Sequence, residues 1–230
     1  MSQNKPLRHI GVIMDGNRRW AKNQGLPALE GHRRGYDKLK KAASWCIKKN
    51  IKILTVYAFS TEKWNRSEKE VSYLMNLLRT GLLRDVKELG EKGVKVKFIG
   101  QISRLDKDLQ RLIKDVEAQT RANKKLLFQV AISYGGRPEL IFAVQKIVRQ
   151  KIRPEKITEK VIAAHLWTAG VADPDLIVRT SGEQRLSNFL TWQSAYSELM
   201  FIEKHWPDFD ESDLNKIVVE YNKRQRRFGV

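Results

Sequence analysis

The stretch His9-Ile10-Gly11-Val12-Ile13-Met14-Asp15-Gly16-Asn17-Arg18-Arg19-Trp20 joins an apolar run to a carboxylate, a glycine and two arginines. The run predicts a buried β-strand, and Asp-Gly predicts a turn into a basic helix. A helix N-terminus attracts anions through its unpaired N–H groups and its dipole. Asp15 offers Mg²⁺ a hard oxygen ligand, and phosphate oxygens are the usual further ligands of that ion. The stretch therefore predicts a corner for metal and phosphate, although a strand, a turn and a solvated basic face fit it equally well.

Further apolar runs alternate with amphipathic stretches on both sides of this corner. The runs cover residues 10–14, 51–59, 94–99, 126–132, 176–178 and 199–202. Apolar residues recur at helical spacing around 39–47, 69–91, 106–123, 138–150 and 213–227. Strands that alternate with helices of this length predict an α/β fold with a mainly parallel sheet covered on both faces. Without a linker or a repeat, we expect one domain over residues 1–230, with residues 1–8 flexible and residues 220–230 forming a basic tail.

The composition predicts an anionic partner. The 230 residues carry a net charge of +18, and such a balance favours nucleic acid, a membrane surface or phosphorylated small molecules. A single cysteine, Cys46, excludes an intrachain disulfide, and its place on the apolar side of a helix predicts a core thiol. The four histidines form no zinc pattern. No apolar stretch approaches the ~20 residues of a membrane span, so we expect a cytoplasmic protein.

Small, cationic and hydroxyl residues follow several of the predicted strands. Ligands of open α/β sheets bind beyond the carboxyl ends of the strands. The residues at these ends are Asp15 after the first run, Ser60, Glu62 and Arg66 after the second, Gly135, Gly136 and Arg137 after the fourth, and Arg179, Ser181 and Gly182 after the fifth. Structural glycines and surface arginines explain any one of these ends, but their recurrence predicts a single anion site.

The segment from Arg179 to Asn188 is the second region with phosphate-binding chemistry. Arg179, Arg185 and a serine surround a glycine, and arginine presents a rigid fork of donors to phosphate oxygens. Only Glu183 supplies an opposing charge nearby. The pattern predicts capture of a small diphosphate, and a basic loop with acidic partners is the alternative.

The absence of several known functional motifs from the sequence narrows the class of function. The chain has neither a Walker phosphate loop nor a Rossmann glycine fingerprint, and no Ser–His–Asp order can be argued. Basic residues interleave with aromatics, which leaves nucleic-acid binding open. However, the arginines follow strand ends instead of lining one helix, which favours a small diphosphate.

Taken in order, these motifs resemble the cis-prenyltransferases, the family of undecaprenyl diphosphate synthase. The resemblance spans residues 9–229 and rests on Asp15-Gly16-Asn17-Arg18-Arg19-Trp20-Ala21, Gly31-His32 with Gly35, Phe59-Ser60-Thr61-Glu62 with Trp64 and Arg66, Tyr134-Gly135-Gly136-Arg137, Asp175 to Glu183, Arg185-Leu186-Ser187-Asn188-Phe189-Leu190, Trp192-Gln193, Ala195-Tyr196, Glu198 and Arg227-Phe228-Gly229.

The resemblance implies a homodimer, each chain having a six-stranded, mostly parallel sheet and a hydrophobic tunnel for the growing isoprenoid. It implies an enzyme that uses Mg²⁺ to condense isopentenyl diphosphate with an allylic diphosphate of farnesyl or geranyl type. By position, it assigns catalysis to Asp15, Asn17 and Lys63, metal binding to Asp15 and Glu198, and substrate binding to Gly16, Asn17, Arg18, Arg19, Trp20, His32, Ser60, Thr61, Glu62, Trp64, Arg66, Arg179, Arg185, Leu186, Ser187, Arg227 and Gly229, the last two reaching the partner subunit. On this assignment, the net positive charge attracts the anionic diphosphates and favours a peripheral contact with an anionic membrane. We expect no nucleic-acid partner.

Three positions depart from the family pattern. Ala28 replaces an arginine that touches the allylic diphosphate, for which Arg33 or Arg34 could substitute. Lys63 replaces an asparagine assigned to proton removal, and Ser133 replaces a frequent asparagine. These departures leave a branched or cyclic, lavandulyl-type condensation open, and a noncatalytic scaffold subunit is a further alternative. The small Ala58 favours a medium or long product, but the sequence does not give its length.

Overall fold

A computed structural model describes residues 6–224, which build a six-stranded sheet in the order β3-β4-β2-β1-β5-β6. The strands are β1 (His9–Ile13), β2 (Ile53–Ser60), β3 (Val94–Ile99), β4 (Leu126–Tyr134), β5 (Leu176–Thr180) and β6 (Glu198–Ile202). All five neighbouring pairs are parallel. The predicted α/β class and the six-stranded sheet are confirmed, and the sheet is wholly rather than mostly parallel over the described residues.

Seven helices flank this sheet within residues 6–224. They are α1 (Asn17–Asn23), α2 (Ala28–Lys48), α3 (Glu68–Glu91), α4 (Lys107–Thr120), α5 (Gly136–Arg149), α6 (Glu159–His165) and α7 (Glu211–Lys223). The apolar periodicity predicted all except α6 and the extent of α1. Both are seven residues long, about two turns, so neither shows a clear periodic stripe.

Both ends of the described chain take part in the folded structure. Leu7 is buried, and the backbone N–H groups of Arg8 and His9 both donate to Asp175 Oδ2 at 2.9 Å. Residues 7 and 8 thus contact the rest of the chain, and the expected flexibility of residues 1–8 stays a prediction. At the other end, helix α7 continues to Lys223, so residues 220–223 are helical and do not belong to a tail. Residues 1–5 and 225–230 lie outside the described part.

The two faces of the sheet pack against separate apolar clusters. Successive side chains of a strand point to opposite faces. Leu176 and Val178 accordingly join the larger cluster, whereas Ile177 joins the smaller one. The larger cluster includes Cys46, which is 2% exposed and whose pKa burial raises to about 12, so the predicted core thiol is confirmed.

Parallel strands bring their carboxyl ends to one edge of the sheet. β1, β2, β4 and β5 are central and adjacent, so the residues that follow them become neighbours despite wide separation in sequence. No helix within residues 6–224 combines the length and the apolar character that crossing a membrane requires.

Candidate active site

The backbone turn after β1 orients the whole site. Gly16 has φ +95° and ψ 0°, a left-handed conformation that glycine adopts readily. A Cβ atom at Gly16 would lie 2.6 Å from Ser181 Oγ and 2.7 Å from His205 Nδ1. The Asp15 N–H donates to Thr180 Oγ1 at 2.9 Å, and this hydroxyl donates to the Asp15 carbonyl at 2.7 Å. Neighbouring strand β5 therefore fixes the backbone of Asp15.

The Asp15 carboxylate lies among cations. Its Oδ2 accepts a hydrogen bond from Arg179 Nη2 at 2.8 Å, and Arg19 Nη2 lies 3.3 Å away. Its Oδ1 accepts the Gly16 N–H at 2.7 Å. Burial favours protonation of Asp15, but the bonds from Arg179 and Gly16 and the two guanidinium charges outweigh it, so the pKa lies below its usual value. Asp15 is therefore an anion at neutral pH.

Arg179 is the buried centre of this corner. It is 5% exposed, and its Nη1 donates to the Arg185 carbonyl at 2.5 Å and to Ser187 Oγ at 2.8 Å. The Nε of Arg179 has no hydrogen-bond partner among residues 6–224. The structure thus brings Asp15, Arg179 and Ser187 together as predicted. The side chain of Arg185 instead pairs with Glu183, which also accepts from Arg19 at 3.1 Å.

A second cationic cluster surrounds Glu70 on α3. Its carboxylate lies 2.6 Å from Arg66 Nη1, 3.2 Å from His32 Nε2 and 3.7 Å from Arg18 Nη1. Burial lowers the pKa of His32 to about 4, although its bond to Glu70 opposes the shift. Sequence reasoning missed Glu70, but its i,i+4 spacing from Arg66 is a signal that could have found it.

The consecutive arginines of α1 face these two clusters separately. Arg18 approaches Glu70, whereas Arg19 approaches Asp15 and Glu183. Adjacent residues on a helix point about 100° apart, which follows from 3.6 residues per turn. A short helix after β1 therefore links the cluster around Glu70 to the corner around Asp15.

Lys63 lies in the 3-10 turn that follows β2. Its Nζ donates to the Ala58 carbonyl at 3.1 Å. Burial and the charge of Arg66 lower the pKa of Lys63 to about 8, against the opposing charges of Asp15, Glu70 and Glu62. The amine is thus mostly cationic at neutral pH and loses its charge only a little above it.

Several residues that were predicted to bind substrate contact other residues of the protein in this structure. Trp20 Nε1 donates to Asp208 Oδ1 at 2.7 Å, away from Asp15, and Trp64 Nε1 donates to Ser133 Oγ at 2.9 Å. Glu62 accepts from Asn188 Nδ2 at 3.1 Å. Leu186 packs against the smaller apolar cluster. Ser60 ends β2, and Thr61 lies against Gly135, where an added Cβ would be 2.9 Å from Thr61 Oγ1.

Glu198 lies at the wrong end of the sheet to share a metal with Asp15 of the same chain. It begins β6 and is level with Leu176 and Ile10, whereas Asp15 follows the opposite end of β1. The distance from Ile10 to Ile13 alone is about 10 Å along the strand. Glu198 Oε2 instead accepts from Arg224 Nη1 at 2.9 Å. The two carboxylates therefore do not meet within one chain, and metal binding by Glu198 stays a prediction.

Arg33 and Arg34, the predicted substitutes for an arginine at position 28, pair with a neighbouring carboxylate. Arg33 bonds Glu30 at 2.6 Å and lines a groove on the outer side of α2 and α3, and Arg34 bonds Glu30 at 3.1 Å. Neither arginine compensates for Ala28 in this conformation. Arg227 and Gly229 lie outside the described residues.

An apolar cavity opens directly beside the cationic corner. Met14, Asn17 and His32 line it next to the site, and Ala58 and Phe59 line it from β2. It continues between the sheet and the inner faces of α2 and α3, and encloses about 1020 Å³ when its open mouth is included. The arrangement suits a ligand with an anionic head and a hydrocarbon tail.

The donor set fits a magnesium ion that binds together with a diphosphate. Mg²⁺ is typically held by one or two carboxylates, with phosphate oxygens and waters completing the octahedron. Asp15 supplies one ionised, partly exposed carboxylate. No cluster of three or more His, Cys, Asp or Glu side chains able to cage a metal occurs in the described part of the chain.

Comparison with known proteins agrees with this geometry. A family model described as putative undecaprenyl diphosphate synthase matches residues 13–229. The chain is 42% identical to the Legionella pneumophila ditrans,polycis-undecaprenyl-diphosphate synthase ((2E,6E)-farnesyl-diphosphate specific), covering 96% of this chain and 95% of that protein. It is 47% identical to an isoprenyl transferase of Streptococcus thermophilus, covering 96% and 92%.

A solved structure has the same fold along nearly its whole length. This is the lavandulyl diphosphate synthase from Lavandula x intermedia in complex with dimethylallyl diphosphate, with a TM-score of 0.94 and 38% identity. The match covers 97% of this chain and 98% of that one. The chain is a transferase of prenyl groups and belongs to the undecaprenyl diphosphate synthase family, the cis-prenyltransferases.

Proposed function

We propose that this protein condenses isopentenyl diphosphate with an allylic diphosphate of farnesyl or geranyl type, in a Mg²⁺-dependent reaction that gives a Z-polyprenyl diphosphate. One observation supports the proposal: arginines gathered around Glu70 and Asp15 lie beside an apolar cavity that Met14, Asn17 and His32 line. A diphosphate head binds the cations while the isoprenoid tail enters the cavity. The relatives named as undecaprenyl diphosphate synthase and isoprenyl transferase support the same chemistry.

The two clusters divide the two substrates between them. Arg18, His32 and Arg66, with the turn from Gly16 to Arg19, hold the allylic diphosphate next to the cavity. Arg179, Arg185 and Ser187 hold isopentenyl diphosphate. Charge-assisted hydrogen bonds contribute about 1.5–3 kcal/mol each. Binding of isopentenyl diphosphate replaces the ion pairs that Glu183 makes in the free protein, whereas Glu70 keeps its contacts in the allylic cluster.

The reaction needs charge stabilisation more than covalent chemistry from the protein. The allylic C–O bond breaks with its electron pair going to the diphosphate, and the double bond of isopentenyl diphosphate forms the new C–C bond. Loss of a proton, with the released diphosphate as the acceptor, then gives the Z double bond. Asp15 would hold Mg²⁺, which when bound would supply further positive charge to the leaving group. The arginines stabilise charge that develops in the transition state, and the apolar walls exclude water from the carbocation.

Incubation with labelled isopentenyl diphosphate and farnesyl or geranyl diphosphate tests this proposal. We expect an extractable, longer product that requires Mg²⁺, and loss of turnover in Asp15→Ala with its unfolding temperature preserved. Asp108→Ala is the matched control, since Asp108 lies in an exposed pair with Arg111 on α4. Failure to incorporate label with any allylic primer would refute the proposal.

A branched or cyclic condensation of lavandulyl type is the second candidate. Lys63 and Ala28 depart from the family pattern, and the fold is shared with a lavandulyl diphosphate synthase. Mass spectrometry of the products separates the two reactions. Dimethylallyl diphosphate consumed without isopentenyl diphosphate, giving a branched C10 diphosphate by mass spectrometry, favours the second candidate.

We also propose that the protein acts as a homodimer. Helix α5 exposes Ile141, Val144 and Val148, which are 59%, 53% and 67% exposed and lie on one helical stripe. Contiguous exposed apolar side chains are typical of an interface. Light scattering should give a mass near twice the 26.7 kDa of one chain. Val144→Glu should shift that mass toward the monomer, and a monomeric wild type would contradict the proposal.

We also propose that the protein makes a peripheral contact with an anionic membrane. On the outer side of α3, exposed Leu83 (69%) adjoins exposed Arg84 and Lys87. A lone apolar side chain among cations suits the headgroup region, where each basic residue contributes about 1 kcal/mol. Sedimentation with vesicles containing phosphatidylserine should exceed that with neutral vesicles. Equal sedimentation with both would exclude an anionic membrane contact.

A further inference from the structure

The segment from Arg185 to Asn188, which we name the isopentenyl loop, has a strained backbone. Ser187 and Asn188 are both left-handed, with φ of +48° and +66°. Residues other than glycine seldom adopt this conformation, and asparagine does so more readily than most. The loop nevertheless supplies two acceptors for Arg179 Nη1, which are the Arg185 carbonyl and Ser187 Oγ. The conformation of the loop therefore fixes the direction of the buried Arg179 guanidinium.

Asn188 caps the N-terminus of helix α5 from a distant part of the sequence. The first N–H groups of a helix have no partner within the helix. The Gly136 N–H donates to the Asn188 carbonyl at 2.7 Å, and the Arg137 N–H donates to Asn188 Oδ1 at 2.9 Å. Pro138 has no N–H, and the Glu139 N–H donates one turn back at 2.9 Å. Asn188 thus satisfies the two N–H groups with which α5 begins.

The other end of the same carboxamide reaches the 3-10 turn after β2. Asn188 Nδ2 donates to Glu62 Oε1 at 3.1 Å, and this turn (Thr61–Asn65) also carries Lys63. Gly135 leaves room for the amide, because a Cβ atom at Gly135 would lie 2.6 Å from Asn188 Nδ2. The side chain therefore uses its acceptor on α5 and its donor on the turn, which neither a carboxylate nor a hydrocarbon side chain can do.

We propose that Asn188 is a positioning residue for isopentenyl diphosphate. It fixes the isopentenyl loop to α5 and to the turn after β2, and thereby directs Arg179 and Ser187 at one diphosphate. The proposal rests on the proposed function, because it concerns the subsite of the second substrate. Both ends of the carboxamide are already bonded to protein groups, so Asn188 acts through the loop and not through contact with the diphosphate. Its removal should weaken binding of isopentenyl diphosphate and leave the cluster around Glu70 intact.

Steady-state kinetics of two Asn188 variants test this role. Asn188→Ala loses both side-chain bonds, so KM for isopentenyl diphosphate should rise at least tenfold while KM for the allylic diphosphate stays within twofold. Asn188→Asp keeps the acceptor for Arg137 but places a second carboxylate against Glu62, so its KM for isopentenyl diphosphate should also rise. Asn50→Ala is the matched control, since Asn50 is exposed, has φ +59° and lies between α2 and β2 at the opposite edge of the sheet. Its KM values should match those of the wild type.

An exchange of donor and acceptor distinguishes positioning from a general loss of stability. When Asn188→Asp is combined with Glu62→Gln, the amide at position 62 can donate to the carboxylate at position 188, which restores the bond in the reverse direction. KM for isopentenyl diphosphate should then return to within threefold of its value in Glu62→Gln alone. A KM that stays as high as in Asn188→Asp would overturn the role of Asn188. So would equal rises for both substrates, or no rise in either single variant.

Binding without turnover separates this inference from the proposed function. In the absence of an allylic diphosphate, calorimetry should show that Asn188→Ala binds isopentenyl diphosphate at least tenfold more weakly than the wild type does. If thermal unfolding shows that Asn188→Ala is unstable, Asn188→Asp takes its place in the same titration. Equal affinities, or a wild type that does not bind isopentenyl diphosphate, would overturn the inference. A wild type that binds both diphosphates but forms no product would refute the proposed function alone.

Discussion

Glu70 shows how one residue can organise a site without touching the reacting atoms. A single carboxylate sets the positions of Arg66, His32 and Arg18, which come from three different elements. The diphosphate of the proposed substrate must find these cations already aligned. Glu70 is thus a positioning residue of the allylic cluster.

Glu70→Ala should lower kcat/KM for the allylic diphosphate at least tenfold, because Arg66 and His32 lose their shared anchor. Tenfold corresponds to about 1.4 kcal/mol. KM for isopentenyl diphosphate should stay within twofold, since Arg179 and Ser187 do not contact Glu70. Partial recovery in Glu70→Gln, which keeps an acceptor oxygen, would support positioning over charge. Equal losses for both substrates would contradict the division of the site.

The lowered pKa of Lys63 predicts that the activity depends on pH. Its cationic form can hold a diphosphate, and this form is lost as the pH rises through the pKa of about 8. Activity should therefore fall between about pH 7 and 9, and kcat/KM profiles check this. In Lys63→Arg the fall should disappear, because arginine stays charged over the whole range. A wild-type profile that rises through this range would instead indicate a neutral amine acting as a base.

At the scale of elements, the turn between β1 and α1 depends on the glycine at its centre. Gly16 is left-handed and crowded by Ser181 and His205. Gly25 is also left-handed, at φ +66°, but a Cβ atom added there would meet no described atom within 4 Å. Substitutions at Gly16 and Gly25 therefore distinguish the cost of a left-handed backbone from the cost of steric crowding.

Gly25→Ala should cost only the left-handed backbone term, about 1–2 kcal/mol. Gly16→Ala should cost more, by the roughly 1–3 kcal/mol typical of overpacking, because Ser181 and His205 must move. Urea unfolding of both variants measures the difference. Equal destabilisation would show that the site side chains give way without cost.

At the scale of the whole molecule, two buried histidines link stability to pH. His9 and His32 both have a pKa lowered by burial to about 4, against 6.5 when exposed. A base with a depressed folded pKa stabilises the fold above its unfolded pKa, and the contribution is lost as the pH falls from 6.5 towards 4. Acid therefore acts on both the foot of β1 and the allylic cluster.

From pH 7.5 to pH 5.5 the free energy of unfolding should drop by about 1 kcal/mol for each of these histidines. Urea titrations at the two pH values measure the drop. His32→Gln should reduce it by roughly the share of one histidine. A free energy of unfolding that does not change with pH would contradict the buried neutral state of both residues.

Much of the fold followed from local patterns. The run from Ile10 to Met14 predicted β1 because a strand buried on both faces is continuously apolar, and the glycine at position 16 marked the turn. The helices α2, α3, α4, α5 and α7 followed from their apolar periodicity. By contrast, α1 and α6 are too short for a periodic stripe. The contacts of Arg8 and His9 with Asp175 join residues that are distant in sequence.

The sequence by itself determined the strand-and-helix alternation, the phosphate-binding residue types at the strand ends and the family, because these reside in local spacing and ordered motifs. Only the tertiary structure decided which carboxylates meet which cations. It placed Glu198 at the far end of the sheet from Asp15 and joined Glu70 to two arginines and a neutral histidine. The physical reason is that strand order and helix crossing bring together residues that no sequence spacing connects.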